Sequence, residues 1–347
     1  MTFISRVMVV VALTAALPQA PVAGEPRAVN VFNFVRAESD LQMAEYASKA
    51  GGIGRLMHMR KLYSIDYQPT IRGNRDTLYS MGTFDLSEPL TIIKPDPGAR
   101  FQSLMYVNQD HSVSTTLHDA ATVTLTRESV GTRYVWVLFR TFVNANDPED
   151  LARAHALQNR IEIRQASRGV AQFPDWDQES LARVRAALNV LAAESVDDFR
   201  GYFGRREELD PVKHLLGTAY GWGGNREAAA VYVNGVPAEN NGETAYVLRI
   251  RDVPVDGFWS ITVYNRDGRF IPNALDTYSF NNVTAKPDTD GAYTFHFGGD
   301  PGAANYLPIT AGWNYVLRLF RPGAAVLDGS WQIPRAEIIN DSASRKP

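Results

Sequence analysis

Gly257-Phe-Trp-Ser-Ile-Thr-Val-Tyr-Asn265 decides the fold class. Its centre is rich in β-branched and aromatic residues and its ends are turn formers, the composition of a short β-strand. The same reading applies to Thr122-Val-Thr-Leu-Thr126, Tyr134-Val-Trp-Val-Leu-Phe139, Tyr246-Val-Leu-Arg-Ile250, Tyr293-Thr-Phe-His-Phe297 and Tyr315-Val-Leu-Arg-Leu-Phe320. Turn signals separate these runs at Pro95-Asp-Pro-Gly98, Arg266-Asp-Gly268, Thr289-Asp-Gly291 and Asp328-Gly329. Many short strands with such turns indicate a sandwich, jelly roll or barrel.

Three signatures recur in order in the two halves of the chain. Asn74, Asp76, Thr77 and Tyr79 are matched by Asn241, Glu243, Thr244 and Tyr246. Phe101, Ser103, Leu104, Asn108 and Asp110 are matched by Phe258, Ser260, Ile261, Asn265 and Asp267, and Tyr134-Val135 leading to Arg140 by Tyr315-Val316 leading to Arg321. The expectation is a mainly β (α+β) protein: two jelly-roll-like β-sandwich domains, duplicated, joined by a helical insert.

Between the halves the period of apolar residues changes. Asp147-Pro148 opens a helix carrying Leu151, Ala154, Leu157 and Ile161, and Asp177 opens one carrying Leu181, Val184, Leu188 and Leu191. Ser195 with Asp198 resembles a capping box, and Asp210-Pro211 opens a helix that Gly221–Gly224 must end. Glu38 to Leu62 reads as a further helix, interrupted at Gly51, Gly52 and Gly54. The divisions expected are 25–146 for the N-terminal β-domain with its leading helix, 147–224 for the insert, 225–340 for the C-terminal β-domain and 341–347 for a flexible tail.

The first 24 residues have the three-part layout of a secretory signal peptide: Met1 to Arg6 with one positive charge, an apolar run from Val7 to Leu17, and Pro18 to Gly24 with small side chains. That run is far shorter than the ~20 residues needed to span a bilayer. The expectation is cleavage after Gly24, a mature chain from Glu25, a periplasmic or secreted location and no stable membrane span. The chain of 347 residues has no Cys, which excludes disulfides, thiolate nucleophiles and Cys-liganded metals. A formal net charge of −3 calls for no nucleic-acid partner.

Several longer motifs carry a family resemblance. They are Asn74-Arg-Asp-Thr-Leu-Tyr-Ser80, Gly131-Thr-Arg-Tyr-Val135 running on to Arg140 and Asp147-Pro148, Gly221-Trp-Gly-Gly224, Gly257 to Asn265, and Leu307-Pro-Ile-Thr-Ala-Gly-Trp-Asn314 ending in Asp328-Gly-Ser-Trp331. Across nearly the whole mature chain they closely resemble the paired bacterial families called domains of unknown function 1254 and 1214. The resemblance implies an N-terminal and a C-terminal jelly-roll-like domain, commonly in exported proteins, and names no substrate.

Asn74, Arg75, Asp76 and Tyr79 with His58 upstream form the first chemical candidate. An Arg beside an Asp can clamp a polar ligand, and a His moves protons near neutral pH. The motif's recurrence equally fits a turn with a buried hydrogen-bond network; Arg75, replaced by Gly242 in the second half, and His58, without a counterpart there, are the stronger functional residues. Asp110-His111 and His118-Asp119 form the second candidate, as metal ligands across a hairpin, as an exposed hairpin end, or with His111 alone in proton transfer. Odd spacing along a strand would put the two rings on opposite faces, and no metal or other cofactor is expected. Trp222, between glycines, is a candidate stacking platform, whereas Trp259 lies inside a strand. No Gly-x-Ser-x-Gly elbow, phosphate-binding loop or dinucleotide fingerprint is present.

Three functional readings follow. The first is an exported protein binding a polar small molecule or glycan in a cleft between domains, with Asn74, Arg75, Tyr79 and Trp222 as ligand contacts. The second is a metal-independent hydrolase or lyase using His58 or His111 as base and Asp76 as orienting partner. The third is a structural protein of the cell envelope, with self-association to a homo-oligomer left open.

Overall fold

A computed structural model describes residues 25–68, 71–195 and 199–339. The expected leader, the 341–347 tail and Asp198 of the Ser195/Asp198 box lie outside them. The elements run α1 (Phe34–Lys49), β1 (Met57–His58), β2 (Thr77–Asp85), β3 (Leu90–Lys94), β4 (Gln102–Asn108), β5 (Ala121–Leu125), α2 (Arg127–Val130), β6 (Tyr134–Phe142), α3 (Pro148–Asn159) and β7 (Glu162–Gln165). They continue with α4 (Gln178–Ala193), α5 (Pro211–Gly221), β8 (Ala230–Gly235), β9 (Tyr246–Ile250), β10 (Trp259–Tyr264), β11 (Ser279–Asn281), β12 (Tyr293–Phe297), β13 (Tyr306–Leu307), β14 (Asn314–Phe320), α6 (Ala324–Leu327) and β15 (Glu337–Ile338). The chain is mainly β, with predominantly antiparallel sheets, as its short aromatic and β-branched runs dictate.

In the N-terminal half the sheet β1-β2-β6-β4 faces the smaller sheet β5-β3-β7. Phe84, Leu104, Val135, Val137 and Phe139 of the first share one apolar cluster with Leu90, Ile92 and Leu125 of the second. The opposite face of the larger sheet, through Met81, Met105, Trp136 and Leu138, receives Phe34 and Met43 of α1, Leu181 and Leu188 of α4 and Leu216 of α5. In the C-terminal half the sheets β11-β10-β14-β8 and β13-β12-β9-β15 meet across a cluster containing Trp259, Ile261, Leu317, Leu248, Phe295 and Phe297.

The caps behave as the sequence predicts. Asp147, Asp177 and Asp210 each accept backbone N–H groups of the first helical turn, of α3, α4 and α5 respectively. Two expectations need correction. The leading helix ends at Lys49 because Gly51, Gly52 and Gly54 take positive φ (78°, 131° and 71°), and the chain then adds Met57–His58 to the edge of β2. The segment 147–224 is not purely helical, since Glu162–Gln165 pairs antiparallel with β3 and places Ile161 and Ile163 in the N-terminal core.

The repeated signatures do not occupy equivalent places. Ser103 pairs with Arg140 in β4/β6, but Ser260 pairs with Arg318 in β10/β14, not with Arg321 as the third signature requires. β2 lies directly beside β6, whereas β9 belongs to a different sheet from β14. What the first signature shares is a local turn: Asn74 Oδ1 accepts the Asp76 N–H at 2.7 Å, and Asn241 Oδ1 accepts those of Glu243 and Thr244 at 2.9 and 2.8 Å.

Phe101 and Phe142 of the first half pack with Phe258, Phe320 and Ala230 of the second. Phe258 and Phe320 stack with centroids 4.3 Å apart, and Phe101 meets both edge-on. This aromatic seam packs the two halves against each other, next to the site described below. No helix among the described residues is long and apolar enough to cross a membrane.

Candidate functional site

A cavity of about 220 Å³ opens beside the aromatic seam. Thr115, Thr116 and His118 line it from the first half, Arg226, Ala228 and Ala229 from the connection, and Asp256, Arg321 and Pro322 from the second half. The His118 ring rests on Phe101, centroids 5.4 Å apart, and neither ring nitrogen has a hydrogen-bond partner among the described residues. The buried Thr116 Oγ1 also lacks a partner. Burial first, and then the neighbouring Arg321 and Lys94 cations, hold His118 down to about 4 against the opposing pull of Asp119. The ring is therefore neutral at pH 7.

Lys94, 1% exposed, stands behind this wall with a single 3.5 Å contact to the Pro95 carbonyl. Burial lowers it to about 8, opposed by Asp119 and Asp96, so its ammonium is still mostly charged at pH 7. Arg226 is already engaged, donating to Glu208 at 2.7 Å and to Thr115 Oγ1 at 3.2 Å. Arg321 has no side-chain partner among the described residues. Its φ is +50°, a left-handed conformation that costs a non-glycine residue about 1–2 kcal/mol. The backbone holds it there: Arg321 N–H donates to the Ala229 carbonyl at 2.9 Å and its carbonyl accepts the Asp256 N–H at 2.8 Å.

Of the residues singled out from the sequence, His118 lines this cavity, whereas His58, Asn74, Arg75, Asp76, Tyr79, His111 and Trp222 do not. His58 sits opposite Ser80 in the β1/β2 pair, with Nδ1 at 2.8 Å from Ser80 Oγ, and burial with the Arg60 cation holds it down to about 4. Asp76 is not its orienting partner. That carboxylate is fully buried at the junction of the halves, where Oδ1 accepts the Asn281 amide at 2.9 Å and Oδ2 has no partner. Burial pushes it above the usual carboxylate range, against Asn281, Ser260, Arg318 and Arg75. Arg318 beside it donates to Thr262 Oγ1, Tyr264 Oη and the Arg72 carbonyl. Arg75 donates to the Tyr63 carbonyl at 2.7 Å and lies over the Tyr278 ring at 5.3 Å. Asn74 closes the local turn and Tyr79 packs against the helix-covered core.

His111 is no exposed hairpin end: it is fully buried, in a turn with φ +55°. Its Nε2 accepts the Gly223 N–H at 2.9 Å, so Nδ1 carries the proton and donates to Thr218 Oγ1 at 2.7 Å. The ring stacks between His214 and Trp222, at 5.6 and 5.5 Å. Trp222, half-buried, donates from Nε1 to Ser39 Oγ at 3.0 Å and packs with Tyr46 and Trp136 against the helix-covered core, so its ring faces are already engaged. Gly223, at φ +78°, passes so close to Trp136 that a Cβ would stand 3.0 Å from the indole. His111 thus faces the helical layer while His118 faces the seam, and no group of three or more His, Cys, Asp or Glu side chains suited to a metal ion occurs among the described residues. His214 belongs to this stack, which the helix pattern around it did not signal.

Residues 53–124 match the family described as Protein of unknown function (DUF1254), and residues 230–324 match Protein of unknown function (DUF1214). The two matches follow each other in that order along the chain. The cavity lies where they meet: Thr115, Thr116 and His118 belong to the DUF1254 segment, Asp256, Arg321 and Pro322 to the DUF1214 segment. The fold is similar to the VPA0106 protein from Vibrio parahaemolyticus, at 19% identity and TM-score 0.67 over 89% of this chain and 98% of that one. It is also similar to an uncharacterized protein from Burkholderia cenocepacia, at 15% identity and TM-score 0.51 over 89% and 87% of the two chains. These likenesses concern the fold alone. A search of curated proteins gave no match.

Proposed function

We propose that the protein is an exported binding protein that holds a polar small molecule in the cleft between its DUF1254 and DUF1214 segments. In this reading each half is a jelly-roll-like β-sandwich, and the signal-peptide layout of residues 1–24 directs the chain to the periplasm or out of the cell. One observation carries it: the cavity is walled by both halves and lined by the half-buried Arg321, whose guanidinium has no partner among the described residues. No Trp lines the cavity, which favours a small polar molecule over a stacked sugar.

The test is native mass spectrometry of the full chain, before and after denaturation, beside the variant Ala228→Trp, which fills the cleft from its rim. A small molecule released by the parent and missing from the variant is the expected result. Equal release by both proteins would remove the cleft as the binding site.

A further inference from the structure

We propose that the molecule bound in this cleft is a small carboxylate that also carries a hydrogen-bond donor, the chemistry shared by short hydroxy acids and amino acids; this rests on the cleft-binding reading above. The charge on the wall is the first argument. Arg226 shares Glu208 with Arg205, which Glu207 also pairs, and His118 is uncharged, so among the described residues the lining cation without an ionic partner is the Arg321 guanidinium, with the Lys94 ammonium close enough to act on His118. A guanidinium presents a planar fork of donors matched to a carboxylate.

The backbone is the second argument. Arg321 is held left-handed between fixed partners on both its N–H and its carbonyl, and Pro322 narrows its choices further by disfavouring α conformations in the residue before it. Strain kept up at a charged side chain that the protein does not pair directs attention to a ligand. The third argument is Asp256. Its backbone N–H donates to the Arg321 carbonyl and both side chains line the cavity, yet the carboxylate and the guanidinium form no ion pair within 4.0 Å. Two opposite charges that share a wall without neutralising each other are complementary to a ligand with an anionic end and a donor end. The volume of 220 Å³ lies below the ~300–1,000 Å³ of sites for drug-sized ligands and suits a molecule of a few heavy atoms.

The experiment is calorimetric titration of the full chain with glycolate, glycine, acetate, ethanolamine and glycerol. Glycolate or glycine is expected to bind more tightly than acetate, and ethanolamine and glycerol more weakly than either; whichever of the first two prevails identifies the donor as hydroxyl or ammonium. Arg321→Gly is expected to weaken binding roughly ten- to a hundredfold, as for loss of a charge-assisted hydrogen bond, while its melting temperature equals or exceeds that of the parent because glycine accepts a positive φ. Asp256→Asn is expected to preserve the acetate affinity and to abolish the advantage of glycolate or glycine over it. Undiminished binding by Arg321→Gly, glycerol binding as well as glycolate, or no binding of any carboxylate overturns the inference. In each of those cases the cleft-binding reading is still judged separately, by the Ala228→Trp comparison.

Discussion

Asn281 donates its side-chain amide to Oδ1 of Asp76 at 2.9 Å, bridging 205 positions of sequence and joining β11 to the residue before β2. Asp76 is thereby a fastening between the halves. Arg318, also buried, donates among the described residues to neutral groups: two carbonyls, Thr262 and Tyr264.

Asp76→Ala leaves the buried Asn281 amide without its acceptor and removes a carboxyl whose field reaches the buried Arg318. The expected cost is about 1–3 kcal/mol, the range for orphaning a buried hydrogen-bonding group. Arg75→Ala, by contrast, removes a partly exposed contact and is expected to cost under about 2 kcal/mol. Urea denaturation of the two variants distinguishes them; equal, small losses would remove Asp76 from the structural role and return it to the catalytic candidates.

His111→Phe keeps a ring between His214 and Trp222 but leaves the Gly223 N–H without an acceptor. Thr218 Oγ1 retains its bond to the His214 carbonyl. One orphaned buried N–H costs about 1–3 kcal/mol, so the unfolding midpoint should fall accordingly. A variant as stable as the parent would show that the ring's nitrogens do not support the fold.

Acid sensitivity follows from His118. Its folded value of about 4 lies below the ordinary 6.5, so between those pH values the unfolded chain binds the additional proton. The stability associated with its neutral form is complete above pH ~6.5 and is lost as pH falls to about 4. His58 acts in the same sense over the same window, whereas Asp40 and Asp76, raised by burial, act in the opposite one. Stability curves of the parent and His118→Gln should therefore converge as pH drops from 6.5 to 4, the parent losing more. Parallel curves would show that the folded His118 titrates normally.

Local chemistry was legible in the sequence and long-range chemistry was not. Tyr246–Ile250, Trp259–Tyr264 and Tyr293–Phe297 are strands at the bounds their composition marks, and Asp177 and Asp210 cap helices, because each signal acts within a few residues. The turn at Asn74 was legible for the same reason, although nothing local says that Asp76 meets Asn281. The cavity draws Thr116, Arg226, Asp256 and Arg321 from segments that only non-local strand pairing brings together. No residue type announces the left-handed backbone of Arg321, which the bonds to Ala229 and Asp256 impose. His111 escaped for a related reason: its positive φ turns the ring off the hairpin face and into the helical layer.

The strand Glu162–Gln165 has a consequence for how the molecule is made. β3 lies between β5 and β7, so until residue 165 has left the ribosome one side of β3 offers unpaired N–H and carbonyl groups to any passing strand. Arg27 waits longer still, since its N–H and carbonyl are taken up by Asp175 and Asp177. A growing chain therefore carries its first half unsealed through about half of its synthesis, and a chaperone that holds such edges has its natural moment there.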